Sequence, residues 1–351
     1  MPARKRTTLP KEFDKLLEAG DLAALQAVFD RCEIGARGGY AKQTALAFAA
    51  CPDELARWLV ARGADVNAPD AGGDTPLHAR ARDWRARIDV LLELGADVHA
   101  TNRRGDTPLH VAAGAARTRA VELLLAHGAR ADATGDEGLN PLEAALRRCA
   151  NAALVEMAEI AQRLVDAGAP ITPAMSKHVR ELGQRFEFHR AGFARDHVGA
   201  ASAALERLYA LFGVPPVPRR AMHDGRAPIR VTATTWQRQH AELWELLVPS
   251  SGPAATVQGE VIRIAGRLSR EFDDNGGINW DDAFVAMACA FREHVAGGTA
   301  LTAPQLAEVR AIVDGLAARA AGDTDRLAEL AVAWVLRNPT PVALASPAYR
   351  R

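Results

Sequence analysis

Gly105-Asp-Thr-Pro-Leu-His-Val-Ala-Ala-Gly114 has near copies elsewhere in the chain. Gly73-Asp-Thr-Pro-Leu-His-Ala-Arg-Ala81 precedes it, Gln43-Thr-Ala-Leu-Ala-Phe-Ala-Ala50 is a weaker version, and Asn140-Pro-Leu-Glu-Ala-Ala145 follows. The four words open at Thr44, Thr75, Thr107 and Asn140, in steps of 31, 32 and 33 residues. A second word, Gly-Ala followed by Asp, Arg or Pro, keeps the same time at Gly63, Gly95, Gly128 and Gly168. Two markers in one register define a repeat. A period of this size means stacked units, each too small to bury its apolar face alone.

The Thr-Pro-Leu-His-x-Ala pattern resembles the signature of ankyrin repeats, units of about 33 residues made of a β-turn and two helices. The resemblance runs from about residue 8 to residue 172. It implies that Thr75 and Thr107 start a first helix as N-caps, and that Pro76 and Pro108 fill its first turn, where the missing N–H costs nothing. Leu77 and Leu109 then enter the core, while His78 and His110 bond back toward the threonine and the neighbouring turn, a structural role. Leu91-Leu92 and Leu123-Leu124-Leu125 supply the stripe of the second helix, which Gly95 and Gly128 stop in a left-handed cap.

Composition agrees with a soluble protein of two or three domains. The hydrophobic fraction of 48% supports a sizeable core, and a formal net charge of zero argues against a nucleic-acid partner. Alanine and arginine richness suits a GC-rich bacterial coding sequence. Cys32, Cys51, Cys149 and Cys289 are widely spaced, which reads as free thiols in a reducing compartment. The basic start Met1–Arg6 is followed by no apolar h-region, so it is not a secretory signal. No run reaches the ~18 apolar residues of a membrane helix. The cytoplasm is the expected location.

In chain order, residues 8 to 34 read as an N-terminal capping repeat, with helices through Lys11–Ala19 and from Asp21 onward. The Thr44 repeat is degenerate, with Ala45 for Pro and Ala47 for His, and its span to Gly63 is two residues shorter than that from Thr107 to Gly128. In the Thr75 repeat Arg80 stands where the pattern wants alanine, beside Arg82, Trp84, Arg85 and Arg87. That group reads either as a solvated face with Trp84 packed at the inter-helix turn, or as a contact patch, because Trp and Arg are common interface anchors. The Asn140 repeat puts Glu143 in the histidine position and runs seven residues longer to Gly168, through an extended second helix or a loop at Arg147–Ala152. Tips between the repeats carry Asp70, then Arg103 and Arg104, then Asp136 and Glu137. In the resembled family such tips project as fingers beside a concave helix face. The expected partner-binding residues are therefore Asp70, Arg80, Trp84, Arg103, Arg104, Asp136, Glu137, Glu143 and Arg147.

Beyond residue 175 the repeat stops. Helices are predicted at 177–188, 201–212, 232–248, 257–272, 280–296, 303–321 and 324–337. Glu271–Asp282 partly overlays an EF-hand loop, but Glu271 opens it and Asp282 replaces the bidentate Glu, so it reads either as a weak Ca²⁺ site or as a Gly-Gly turn with Asn275 and Asp281 as caps and Trp280 filling the corner. The histidines His178, His189, His197, His223, His240 and His294 show no metal-ligand spacing. Trp236, His240, Leu243, Trp244 and Leu247 share a helical face and read as core. Ser250 and Ser251 lie in no nucleophile elbow.

The expected architecture is all-α: an ankyrin solenoid over residues 1–172, comprising a capping repeat and about four repeats, then an all-helical domain over 173–351. The expected function is non-enzymatic protein binding, as an adaptor or as an inhibitor neutralising a toxin or effector. No catalytic residue, metal or cofactor is expected, the partner is another protein rather than nucleic acid or membrane, and a monomer is the default. The rival is a ligand-binding or enzymatic C-terminal domain, with a pocket lined by His189, His223, Asp224, His240 and Glu260.

Overall fold

Each repeat word becomes the start of a short helix. The computed structural model describes residues 4–318, 322–347 and 349. The first three residues of the basic N-terminus, and 319–321 of the helix predicted at 303–321, lie outside the described residues. By packing, the chain divides into two compact units, one reaching Phe186 and including Ala194–Val217, the other comprising Glu187–Phe193 and the chain from Pro218.

The first unit opens with β1 (Arg6–Thr8), α1 (Phe13–Ala19), α2 (Leu22–Arg31), β2 (Cys32–Gly38) and β3 (Gln43–Thr44). Asp21 caps α2 as expected, accepting from the Ala23 and Ala24 amides. The three strands form a small sheet, β1 parallel to β2 and β2 antiparallel to β3, that the all-α expectation did not contain. Next to it, the first helix of the Thr44 repeat shrinks to a 3-10 turn, Ala45–Ala47. Ala45 gives up the preset φ of a proline, and Ala47 cannot close a capping box, so nothing holds a longer helix. Its second helix, α3 (Asp53–Ala61), is regular.

In the next two repeats the signature works in full. Thr75 and Thr107 adopt extended backbone as N-caps of α4 (Pro76–Arg82) and α6 (Pro108–Gly114). Their partner helices are α5 (Asp89–Glu93) and α7 (Thr118–Ala126). Asn140 caps α8 (Pro141–Arg148) by accepting from the Glu143 amide at 2.9 Å. Leu77, Leu109 and Leu142 are wholly buried, each contributing about 1.5–3 kcal/mol of apolar burial. The long repeat then adds both a 3-10 turn, Asn151–Ala153, and an extended α9 (Leu154–Asp166).

Helix α10 (Pro173–His189) begins earlier than residue 177 because Pro173 is itself a good first-turn residue. Within the first unit, α11 (Arg195–Phe212) packs on α9. A Cβ at Gly183 would fall 1.9 Å from the Tyr209 hydroxyl, so only glycine lets α10 approach α11 there.

The second unit contains α12 (Trp236–Leu247), α13 (Val257–Ser269), α14 (Asp282–Ala296), α15 (Ala303–Ala317) and α16 (Thr324–Arg337). Helix α13 is its centre: Val261, Ile262, Ile264, Ala265 and Leu268 are fully buried among α12, α14 and α16. After α16 the chain does not simply stop at Pro339 and Pro341. It pairs back on the start of α13, with Val257 N donating to Val342 O at 2.8 Å and Leu344 N to Ala255 O at 3.1 Å.

Candidate functional site: the repeat fingers

The tips between repeats are built by one short-range device and joined by another. Asp70 Oδ1 accepts the Gly72 and Asp74 amides at 2.7 and 2.9 Å, and Asn102 Oδ1 accepts those of Arg104 and Asp106 at 2.9 and 3.1 Å. Such Asx turns close a loop with its own side chain. One main-chain bond then ties each tip to the one before it: Ala71 N to Ala41 O at 2.9 Å, Arg103 N to Gly72 O at 3.1 Å, and Asp136 N to Arg104 O at 3.0 Å. The approach is close enough that Gly105, at φ 67°, could not carry a Cβ, which would sit 2.7 Å from the Asp136 amide nitrogen.

Below the tips, the histidines complete the frame. His78 Nδ1 accepts from the Thr75 amide at 3.2 Å, which places the proton on Nε2, and that N–H donates to Asp106 O at 3.0 Å. His110 repeats the arrangement with the Thr107 amide at 3.1 Å and Leu139 O at 3.1 Å. Each imidazole therefore locks its own helix start to the next finger. Burial pushes both below the ordinary histidine pKa, with the carbonyl contact pulling partly back. A group whose folded pKa is depressed contributes stability that is complete above its unfolded value, near 6.5, and lost as pH falls below it. The slope is about 1.4 kcal/mol per pH unit for each such group. In urea titrations the chain loses stability between pH 7.5 and 5.5, and His78→Gln/His110→Gln is weaker at pH 7.5 but changes less with pH. An identical pH slope in both proteins would refute the assignment.

Several expected contact residues are surface groups. Arg103, Arg104, Asp136, Glu137 and Arg147 are exposed, and Asp70 is half-buried with its carboxylate engaged in the turn. Arg104 Nε donates to Asp106 Oδ2 at 3.1 Å. Glu137 pairs with Arg147 and lies 3.8 Å from Arg148. The Arg147 hydrogen bond and charge hold its carboxyl below the usual range. Trp84 is 74% exposed, so it is not packed at the inter-helix turn. It sits at the far end of α4 from the Asp70 finger, with the Arg85 guanidinium 5.8 Å from its ring centroid.

Two expected contact residues are not surface groups. Arg80 is 1% exposed and donates to Leu46 O, Arg87 O and Cys51 O at 2.7, 3.2 and 3.3 Å. It fills the space left where the Thr44 repeat has only a 3-10 turn, so its role is structural. Glu143 is buried too, accepting from the Thr172 hydroxyl at 3.0 Å. Tyr40 was missed: it projects fully into solvent from the Gly39–Lys42 turn, whose Ala41 receives the first tip-to-tip bond. The Gly38-Gly39 pair was the available signal for a turn there.

In the second unit the EF-hand-like loop is closed on itself. Buried Glu271 accepts the Asn279 amide at 2.6 Å and the Asn275 amide group at 3.1 Å, Asp281 caps α14, and Trp280 packs between Phe272 and Phe284. Asp273 accepts from Ser269 and Thr324 hydroxyls at 2.7 and 2.8 Å. Of the five residues expected in the rival pocket, His223 Nδ1 lies 3.6 Å from Asp224 Oδ1. Glu260 is sealed against Arg263, His223 Nδ1 accepts the Gly225 amide at 3.0 Å, and His240 lies against Trp244. Among the described residues no helix is long and apolar enough to cross a membrane, and no group of three or more His, Cys, Asp or Glu is arranged to hold a metal ion.

Two family models describing ankyrin repeats match this chain, one over residues 44–81 and the other over 91–145. No curated protein matches it. Repeats of this type generally serve protein–protein interaction, and stacked repeats offer extended concave surfaces for it. The matched stretches contain both Thr–His locks and the fingers that they brace, and over those residues the chain carries ankyrin repeats.

Proposed function

We propose that this chain is a non-enzymatic binding protein that holds one protein partner across its finger tips. The observation that carries the reading is the linked row of tips, in which Tyr40, Arg103, Arg104, Asp136 and Glu137 all face solvent while the backbone behind them is tied. Tyrosine and arginine are frequent anchors of interfaces, and adjacent tips of opposite charge favour one orientation of a partner over others. Residues 1–172 are the recognition part in this reading, and the helical residues 173–351 a companion domain. The narrower role is neutralisation of a toxin or effector protein.

The test compares the full chain with Tyr40→Ala and with Arg103→Glu/Arg104→Glu, each tagged and expressed in the native cell. These side chains are exposed, so circular dichroism and thermal midpoints stay near those of the parent. The parent retains a defined protein under mild salt, and the variants lose it by about tenfold or more, the effect of ~1.4 kcal/mol. A partner retained equally by parent and both variants would exclude the fingers.

A further inference from the structure

The second unit holds a cavity unrelated to the fingers, of about 500 Å³, between α14, the start of α13 and the returning tail. Its size falls within the ~300–1,000 Å³ of small-molecule sites. Val257, Ala286, Ala290, Leu344 and Pro347 make its walls apolar. The polar lining is uneven. Tyr349 reaches in from the tail, but its hydroxyl donates to Glu260 Oε1 at 2.8 Å. Glu260 is in turn held by Arg263 through two bonds of 2.6 and 2.8 Å, so that group carries no net charge. Glu293 and His294, on the α14 wall, make no hydrogen bond or ion pair with another described side chain.

We propose that this cavity binds a small amphiphilic amine, its apolar body between α14 and the tail and its ammonium beside Glu293 and His294. The charge balance selects that class. Glu293 is the wall carboxylate with no cation beside it, since the Arg263 guanidinium is committed to Glu260. A ligand carboxylate would lie beside Glu293 with no cation to answer it, whereas an ammonium gains an opposite charge and an acceptor. The His294 imidazole stays neutral near pH 7, because burial lowers its pKa against the pull of Glu260 and Glu293. It therefore offers a lone pair to an N–H donor instead of a competing charge.

The same wall supplies a reporter. Cys289 lines the cavity and is exposed, while Cys32, Cys51 and Cys149 are buried. The full chain is treated with iodoacetamide at pH 7.5 and Cys289 modification is followed by peptide mass spectrometry, alone or with N,N-dimethyloctylamine, octanol or octanoate. At about four times its Kd, the amine leaves about one-fifth of the sites open and slows modification about fivefold. Octanol protects less at the same concentration and octanoate least. Glu293→Gln, at an exposed position, removes the preference of the amine over octanol while leaving the fold intact. Equal protection by octanoate and amine, no protection by any probe, or an amine preference that survives Glu293→Gln would each overturn the proposal.

Discussion

Arg80→Ala lowers the free energy of unfolding by about 3–5 kcal/mol, with each unmet buried hydrogen-bonding group costing about 1–3 kcal/mol. The guanidinium satisfies three main-chain carbonyls from three separate segments, at Leu46, Cys51 and Arg87. Two of these bonds are fully buried, so water replaces little of what is lost. Burial also lowers the pKa of Arg80 and raises that of the adjacent Cys51 thiol to about 11, so the site favours a neutral thiol beside a carbonyl-solvated cation. Arg80→Lys restores only part of the stability, because an ammonium cannot span three acceptors spread around a planar fork. Arg82→Ala is the control: that side chain is 44% exposed, and its buried partner Asp74 keeps the Asn102 amide group at 2.8 Å, so the loss is smaller, about 1–3 kcal/mol. Urea unfolding with a constant m-value measures all three. If Arg80→Ala costs no more than Arg82→Ala, the structural role assigned to Arg80 is wrong.

The second large effect is at Glu260. Glu260 and Arg263 are 0% and 2% exposed, lie one helical turn apart on α13, and are joined by two hydrogen bonds. Burial alone would raise the Glu260 pKa. The Arg263 bonds, the Ala254 amide and the Tyr349 hydroxyl outweigh it and hold the carboxyl below its ordinary value. Glu260→Gln removes the carboxylate charge that faces the buried guanidinium and costs about 3–5 kcal/mol. The double replacement Glu260→Leu/Arg263→Met recovers only part of that loss: no charge is left buried, but the Ala254 amide and the Tyr349 hydroxyl lose their acceptor. Chemical denaturation of the single and double variants decides the matter. A double variant as weak as the single one would mean that the pair does more than neutralise itself.

What the chain revealed in advance was what depends on neighbours within a few residues. Thr107, Pro108 and His110 form a helix start whose bonds span three positions, so the word announces the structure. Asp21 is a local cap of the same kind. The failures are non-local. Arg80 looked like a surface charge because its helix neighbours Arg82, Trp84 and Arg85 are exposed, yet its acceptors Leu46 and Cys51 lie 34 and 29 residues away. Glu143 is expected among the contacts, but its partner Thr172 comes from the far end of an elongated repeat. The β1–β2 pairing joins Arg6 to Cys32 across a helical pair, and the tail meets α13 some 80 residues upstream, as in the bond from Gln258 to Asn338. Of the finger residues, the charged ones were visible from loop composition. Tyr40 was hidden by the decay of the word around it.

The bonds running from tip to tip bear on how such a surface recognises anything. A free loop loses conformational entropy when a partner fixes it, and that loss is subtracted from the affinity. Here each tip is held by its predecessor before any encounter, at Ala71, Arg103 and Asp136 in turn. In the proposed role, docking onto several fingers at once would therefore demand little reorganisation, the row meeting its partner as a preorganised edge.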